Sequence, residues 1–246
     1  MGMSYRHSSD WPMATIEHDV ADRLLKRLDW MRLSPQRILN SSVDGEYIAR
    51  RLCKRYPEAQ IQHSVGEWPP DTTLPWPAQT FDLIFSHLHL HQSEDWMATL
   101  QTWEHLLAPN GLLLLTTLGP DTLRELRMSS VLANTTWRTE AFVDMHDVGD
   151  ALLHSQLLDP VMDREQVTVR YSSLNALLED LHGFMGQRNV ILTPVDYEAL
   201  QDASEERVSI TLELIYGHAW ARSVRTNDLA PGEAVIVMDS ISLRKN

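Results

Sequence analysis

The stretch RILNSSVDGEYIARRL, residues 37–52, contains the unit from which the fold of this chain is predicted. Residues 37–39 are typical of the start of a buried strand, and residues 47–55 continue with the pattern of a helix. A strand that passes through a short turn into a helix is the building block of an α/β fold. The turn contains a single glycine, Gly45, whereas a turn that cradles a nucleotide-like ligand usually contains several.

The rest of the chain alternates between helical and strand patterns in the same way. The continuous apolar residues 111–117 favour a strand that is covered on both faces of a sheet, and residues 109–111 (PNG) predict a turn before it. Helices are predicted at 19–33, 96–107 and 174–182, and further strands at 60–63, 81–86, 166–171, 208–216 and 233–242. This order predicts a doubly wound α/β sheet that is mostly parallel, with antiparallel strands added at its edge by the last third of the chain.

Composition excludes several classes of protein. The chain has 246 residues and a formal net charge of −13, which argues against binding to nucleic acids or to anionic membranes. Its single cysteine, Cys53, excludes an internal disulfide and a cysteine-based zinc site. No apolar run is long enough to span a bilayer, and residues 1–10 do not have the pattern of a signal peptide. We therefore expect a cytoplasmic protein that is not associated with a membrane.

Six segments carry a resemblance to a known family. FDLIFS and LAPNG are common to many class I methyltransferases, whereas TTLGPDTL, DMHDVGD and DPVMD are more specific. The chain resembles the malonyl-acyl carrier protein O-methyltransferase (BioC) family of class I S-adenosylmethionine (SAM) methyltransferases. The segments are FDLIFS at 81–86, LAPNG at 107–111, LLLTTLGPDTLREL at 113–126, FVDMHDVGD at 142–150, LDPVMD at 158–163 and YGHAW at 216–220.

The resemblance implies a single Rossmann-like domain over residues 1–246, with its core at about 19–118 and 158–243 and a helical lid segment at about 121–157. It also implies SAM as cofactor, a malonyl thioester of acyl carrier protein as substrate, and a role in biotin precursor synthesis. A similar mitochondrial assembly factor hydroxylates an arginine instead, so membership of the family does not by itself fix the reaction.

The chain departs from the family pattern on the side that binds the cofactor. The family has an acidic residue and then a turn resembling DLGxGTG, whereas this chain has Asn40 followed by SSVDGE, with Gly45 one position away from the pattern. Val65 stands where an acidic residue usually binds the ribose, and Glu67 is the candidate to replace it. A helix that normally walls the adenosine pocket is reduced to residues 64–70. We take Gly45, Glu67 and Asp71 as the candidate cofactor contacts.

The side of the site that binds the substrate is also altered. Ala141 stands where the family has an arginine for the malonyl carboxylate, and Arg138 is close in sequence but out of register. Asp144 and His146 are candidates for contact with a substrate or partner, although Asp144 is also well placed to cap the helix that follows. No residue is assigned as catalytic. These losses predict a degenerate methyltransferase that acts through protein binding, and a working enzyme with a rebuilt cofactor pocket is the alternative.

Two further clusters predict binding sites. Basic side chains recur at helical spacing and form a stripe that is either a solvated helix face or a docking surface for an acidic partner, such as an acyl carrier protein or an intact relative. This basic stripe consists of Arg50, Arg51, Lys54 and Arg55. His87, His89 and His91 alternate, so an extended backbone would place all three on one face as ligands for a metal ion; a polar strand end is the alternative.

Overall fold

Helices and strands alternate along the computed structural model, which describes residues 3–5, 14–42, 44–64, 74–125, 142–185 and 207–223. The helices are α1 (Ala14–Arg27), α2 (Gly45–Arg55), α3 (Trp96–Leu106), α4 (Met145–His154) and α5 (Leu174–Met185). The strands are β1 (Met3–Tyr5), β2 (Arg37–Ser42), β3 (Gln60–His63), β4 (Phe81–His87), β5 (Leu107–Leu118), β6 (Leu157–Tyr171) and β7 (Val208–Ala221). None of the helices in these ranges has the length and apolar character that crossing a membrane requires.

The described strands form one mixed sheet in the order β1-β6-β7-β5-β4-β2-β3. Strands β3, β2, β4 and β5 are parallel neighbours, whereas β7 is antiparallel to both β5 and β6. The predicted doubly wound sheet is confirmed. The last third of the chain adds an antiparallel strand as predicted, but this strand, β7, lies between β5 and β6 and not at the edge. The prediction of a further strand at 233–242 lies outside the described residues.

Apolar residues of the central strands alternate between two cores, one on each face of the sheet. Ile38 and Leu83 belong to the core beneath α1, α2 and α5, whereas Leu39 and Ile84 belong to the core beneath α3 and α4. All four side chains are fully buried. Because successive side chains of a strand point to opposite faces, a continuous apolar run supplies both cores at once.

Several boundaries differ from their prediction. The helix predicted at 19–33 is α1, which begins earlier and ends at Arg27 before a 3₁₀ turn at Leu28–Trp30, and the strand predicted at 208–216 continues to Ala221. The predicted turn at 109–111 is part of β5: the pairing with β4 shifts between Phe81 and Leu83, and Asn110 takes up the extra length with φ 61°. Strand β6 begins at Leu157 rather than near 166, because a second irregularity at Asp159 (φ 50°) lets it continue past a proline. Of the predicted lid, residues 121–125 and 142–157 are described, and they include α4.

Candidate functional site

The order of the sheet reverses between β2 and β4, and this reversal locates the candidate site. From β2 the chain continues to β3 on one side, whereas β4 leads to β5 on the other side. In open α/β sheets, ligands bind in the crevice beyond the carboxyl ends of the strands at such a point. The residues that end β2 and β4 are Ser42 and His87, which are partners in the register of the two strands.

The turn that follows β2 is held together by its own polar groups. The side-chain amide of Asn40 donates to the carbonyl oxygen of Gly45 at 2.8 Å, and Asn40 is fully buried. The carboxylate of Asp44 accepts from the backbone N–H of Tyr47 at 3.0 Å and so caps the first turn of α2. Asn40 and Asp44 are therefore committed to closing the turn.

His63, at the end of β3, lies directly against Gly45. A Cβ placed on Gly45 would overlap the imidazole ring of His63. The ring nitrogen Nε2 lies 3.0 Å from the carbonyl oxygen of Ser42, so the imidazole bridges the carboxyl ends of β2 and β3. The single glycine of the turn is thus required by a side chain of the protein itself, and its backbone faces an imidazole.

Helix α1 covers the same turn from outside. His18 stacks on Tyr47 with the ring centroids 3.5 Å apart and 8° between the ring planes. Nε2 of His18 lies 2.8 Å from the Asp44 carboxylate, and the hydroxyl of Tyr47 donates to Asp22 at 3.0 Å. The turn is therefore packed between α1 and β3.

Two carboxyl groups beside the turn have shifted pKa values. Burial, together with the nearby carboxylates Asp44 and Asp180, raises the pKa of Glu17 to about 7. Burial also acts to raise the pKa of Asp44, but the hydrogen bonds from Tyr47 and His18 outweigh burial and lower it. Asp44 therefore remains ionised in the turn, whereas Glu17 titrates near neutral pH.

Several buried polar atoms at the ends of β2 and β4 have no hydrogen-bond partner. They are Oδ1 of Asn40, Oγ of Ser42 and Oγ of Ser86. The imidazole of His87 lies beside them, against the hydroxyl of Thr116 and the backbone of Glu17. Burial lowers the pKa of His87 to about 3, so its imidazole is neutral. Because a buried polar atom without a partner is costly, this group of neutral donors and acceptors is chemically suited to a polar ligand.

The histidine segment does not have the geometry that the metal hypothesis required. Strand β4 ends at His87, Leu88 has φ 51°, and Leu90–Gln92 forms a 3₁₀ turn, so the backbone does not stay extended as that hypothesis required. Each ring nitrogen Nδ1 faces a different hydroxyl: His87 faces Thr116 at 2.9 Å, His89 faces Ser41 at 2.8 Å, and His91 faces Thr117 at 3.4 Å. No three histidine, cysteine or carboxylate side chains are grouped to hold a metal ion in the described ranges.

Most of the basic stripe is paired with carboxylates of the same chain. Arg51 pairs with Asp22 at 2.8 Å, and Arg55 pairs with Asp29 at 2.6 Å. Arg50 pairs with Glu46 one helical turn earlier, at 3.1 Å. Asp22 lies on α1 and Asp29 lies just beyond its end, so the stripe contributes to a seam between α1 and α2, and much of its positive charge is neutralised.

The remaining site residues lie in two places. Asp144 caps α4 by accepting from the backbone N–H of His146 at 2.8 Å, and its carboxylate also contacts the His146 ring at 2.6 Å. These hydrogen bonds lower the pKa of Asp144. The capping interpretation is thereby confirmed. Glu67, Asp71 and Arg138 lie outside the described residues.

Sequence reasoning did not identify the side chains that fill the turn. His18 and Glu17 lie in an ordinary helical pattern, and His63 ends a short, mostly exposed strand. The one signal that relates His63 to the turn is the pairing of β3 with β2, in which His63 lies beside Asn40. That register is a property of the folded sheet and not of a local motif.

The sheet order and the position of the site define a class I methyltransferase fold. A family model described as a methyltransferase domain matches residues 40–115. The chain is 35% identical to malonyl-acyl-carrier-protein O-methyltransferase 1 of Coxiella burnetii, over 92% of this chain and 88% of that protein. It is 31% identical to malonyl-acyl-carrier-protein O-methyltransferase of Halorhodospira halophila, over 85% of this chain and 82% of that protein.

The chain belongs to the malonyl-acyl-carrier-protein O-methyltransferase family. Among solved structures it is similar to the YcgJ protein of Bacillus subtilis, with 12% identity, a TM-score of 0.48, and coverage of 83% of this chain and 99% of that one.

Proposed function

We propose that this chain is a member of the family in which SAM binding is lost or greatly weakened, and that it acts through protein binding rather than by methyl transfer. The observation that carries the proposal is the position of His63, whose ring lies against Gly45 and bridges to Ser42. A cofactor that uses the turn after β2 needs its backbone to be open on that side. Here an imidazole lies against it.

The charges around the turn support the same proposal. Asp44 is ionised, and above pH 7 Glu17 adds a second negative charge next to it. SAM carries a carboxylate, which glycine-rich turns of this kind bind through backbone N–H groups. In this chain the N–H of Tyr47 is already donated to Asp44 and is not available to that carboxylate. The polar groups of the turn are thus hydrogen-bonded within the turn, and the carboxylates of Asp44 and Glu17 repel the carboxylate of SAM.

Calorimetric titration of the purified protein with SAM and with S-adenosylhomocysteine tests this proposal. The expected result is no binding at millimolar ligand, whereas the Coxiella burnetii relative, prepared and titrated in the same buffer, serves as the control for an intact turn. His63→Ala should be titrated in parallel, because removal of the ring opens the face of Gly45. Micromolar binding by the unchanged protein would overturn the proposal.

The protein-binding half of the proposal has its own test. The relatives are named as enzymes that act on the malonyl thioester of an acyl carrier protein, so we propose an acyl carrier protein, or an intact relative, as the partner in biotin precursor synthesis. Interferometry with immobilised holo- and malonyl-acyl carrier protein should show binding without SAM. An intact relative, the other candidate partner, is immobilised and tested in the same way. If this chain binds neither form of the acyl carrier protein nor the intact relative at about 100 μM, the protein-binding half of the proposal is wrong.

A second function remains a candidate because of the buried polar atoms at the ends of β2 and β4. Asn40, Ser42 and Ser86 each have one atom without a partner, and a ligand in a rebuilt pocket would satisfy them. The chain would then be an active SAM-dependent methyltransferase with Glu67 in place of the usual ribose-binding acid. This function requires micromolar SAM binding, methyl transfer to malonyl-acyl carrier protein, and loss of both in Glu67→Ala.

A further inference from the structure

A groove of about 640 Å³ lies between α3 and α4, on the face of the sheet opposite α1 and α2. Its floor is apolar and consists of Leu100, Leu152 and Leu157, each of which is less than a tenth exposed. Met97 stands at its edge with 54% of its surface exposed. The groove is separate from the turn after β2, because its walls, α3 and α4, pack against the core on the other face of the sheet.

The walls of the groove are two helix faces. Asp147, Asp150, Ala151 and His154 recur on α4 at the spacing of one face, and residues of α3 from Trp96 to Glu104 form the opposite wall. Helices of 11 and 10 residues give walls about 15 Å long at about 1.5 Å per residue. This length accommodates roughly three turns of another helix.

The charge of the groove is one-sided. Glu104, Asp147 and Asp150 place carboxylates along the rim, and no lysine or arginine is among the described residues that line the groove. The only basic side chain there is His154, whose Nδ1 contacts the carbonyl oxygen of Asp150 at 2.7 Å. An apolar floor with an anionic rim complements a surface that is apolar along its centre and cationic along its sides.

We propose that the α3–α4 groove is a docking site for a basic amphipathic helix of a partner protein. Helix-in-groove recognition places apolar residues at positions i, i+3, i+4 and i+7 on the floor, and flanking lysines or arginines then meet the rim carboxylates. An exposed methionine at the edge suits this mode, since its flexible thioether adapts to different apolar partners. The inference depends on the groove alone and holds whether or not the turn after β2 binds SAM.

The same features disfavour an anionic membrane as the occupant. A lipid surface rich in anionic headgroups repels a carboxylate rim. Contact with such a surface would remove water from the carboxylates of Asp147 and Asp150 without supplying a cationic partner, which is costly. A cationic helix supplies that partner directly.

The test uses a synthetic 14-residue peptide with leucine on one helical face and lysine on its flanks, labelled for fluorescence anisotropy. Its counterpart has glutamate in place of every lysine. The basic peptide is expected to bind with a micromolar Kd that rises with ionic strength, and the acidic peptide is expected not to bind. Failure of the basic peptide to bind, or equal binding of both peptides, would overturn the proposal.

Matched variants separate the groove from the general negative charge of the chain. Asp147→Asn with Asp150→Asn should weaken binding about tenfold, as expected for the loss of two exposed charge pairs. Glu58→Gln with Glu179→Gln removes the same charge from exposed positions outside the groove and should change the Kd by less than about twofold. Equal effects of the two pairs would show that binding is nonspecific and would contradict the proposal.

A local signal places the peptide in the groove. The methyl resonance of Met97, assigned by its loss in Met97→Leu, should shift on addition of the basic peptide. The methyl resonance of Met31, which packs against the core on the opposite face of the sheet, should remain in place. If the Met97 resonance does not move while the peptide binds, the peptide is bound elsewhere and the inference is wrong.

Discussion

Gly45 is constrained by a single neighbouring side chain, and this constraint is measurable. A Cβ at position 45 would overlap the His63 ring, which must rotate away and lose its contact with the Ser42 carbonyl oxygen. Gly45→Ala is therefore expected to lower the free energy of unfolding by about 1–3 kcal/mol. Urea denaturation followed by circular dichroism measures the change.

The double variant identifies the cause of that loss. His63→Ala removes the three atoms that lie nearest to a Cβ at position 45, and alanine is favoured over glycine in a helix by up to about 1 kcal/mol. Gly45→Ala should then be neutral or stabilising. An equal loss in both backgrounds would mean that the backbone of the turn, and not His63, requires the glycine.

Glu17 makes stability depend on pH in a direction opposite to that of most carboxyl groups. Its pKa is raised from 4.5 to about 7 in the folded protein, so the folded state holds the proton more tightly than the unfolded state does. The free energy of unfolding therefore falls as pH rises from about 4.5 through 7. Glu17→Gln should be more stable than the unchanged protein above pH 7, by at most about 3 kcal/mol, and similar to it near pH 4.

Thermal and urea unfolding between pH 4 and pH 8.5 check this expectation. Glu58→Gln, at an exposed carboxyl group, is the control and should not change how the free energy of unfolding depends on pH. A constant difference between Glu17→Gln and the unchanged protein over this range would show that Glu17 has an ordinary pKa.

At the scale of elements, the irregularity in β5 can be tested at one position. Asn110 has φ 61°, a conformation that glycine and asparagine adopt readily and that a β-branched side chain strongly disfavours. Asn110→Val is expected to lower the free energy of unfolding by about 1–2 kcal/mol, whereas Asn110→Gly should be nearly neutral. Urea denaturation measures the stability of both variants. Equal losses of stability would show that the asparagine side chain, and not the backbone conformation, stabilises this position.

The elements themselves were largely predictable, and their irregularities were not. The apolar run of β5 and the helical periodicity of α1 and α3 identified these elements, because burial on one or both faces leaves a periodic pattern. The residues 109–111 were predicted as a turn because proline, asparagine and glycine favour turns in isolation. Their place within a strand depends on the pairing with β4, which no local pattern reports.

For the whole molecule, the sequence predicted the family and the loss of the glycine-rich turn, but not what replaces the glycines. The absence of the family's glycines can be read directly from residues 40–46. The groups that fill the turn come from residues far apart in the chain, His18 on α1 and His63 on β3, which meet at Asp44 and Gly45 only after folding. The arrangement of His87, His89 and His91 was not predictable for a related reason, since the backbone leaves the extended conformation at Leu88.

The position of β7 has a consequence for the order of assembly. It follows the other described strands in the chain, yet it lies between β5 and β6 and pairs with both over long stretches. Until β7 emerges during synthesis, β5 and β6 each present an unpaired edge, and an exposed edge is a template for aggregation. A nascent chain stalled before residue 208 would therefore be a substrate for chaperones, and completion of the sheet would be a late, high-contact-order event.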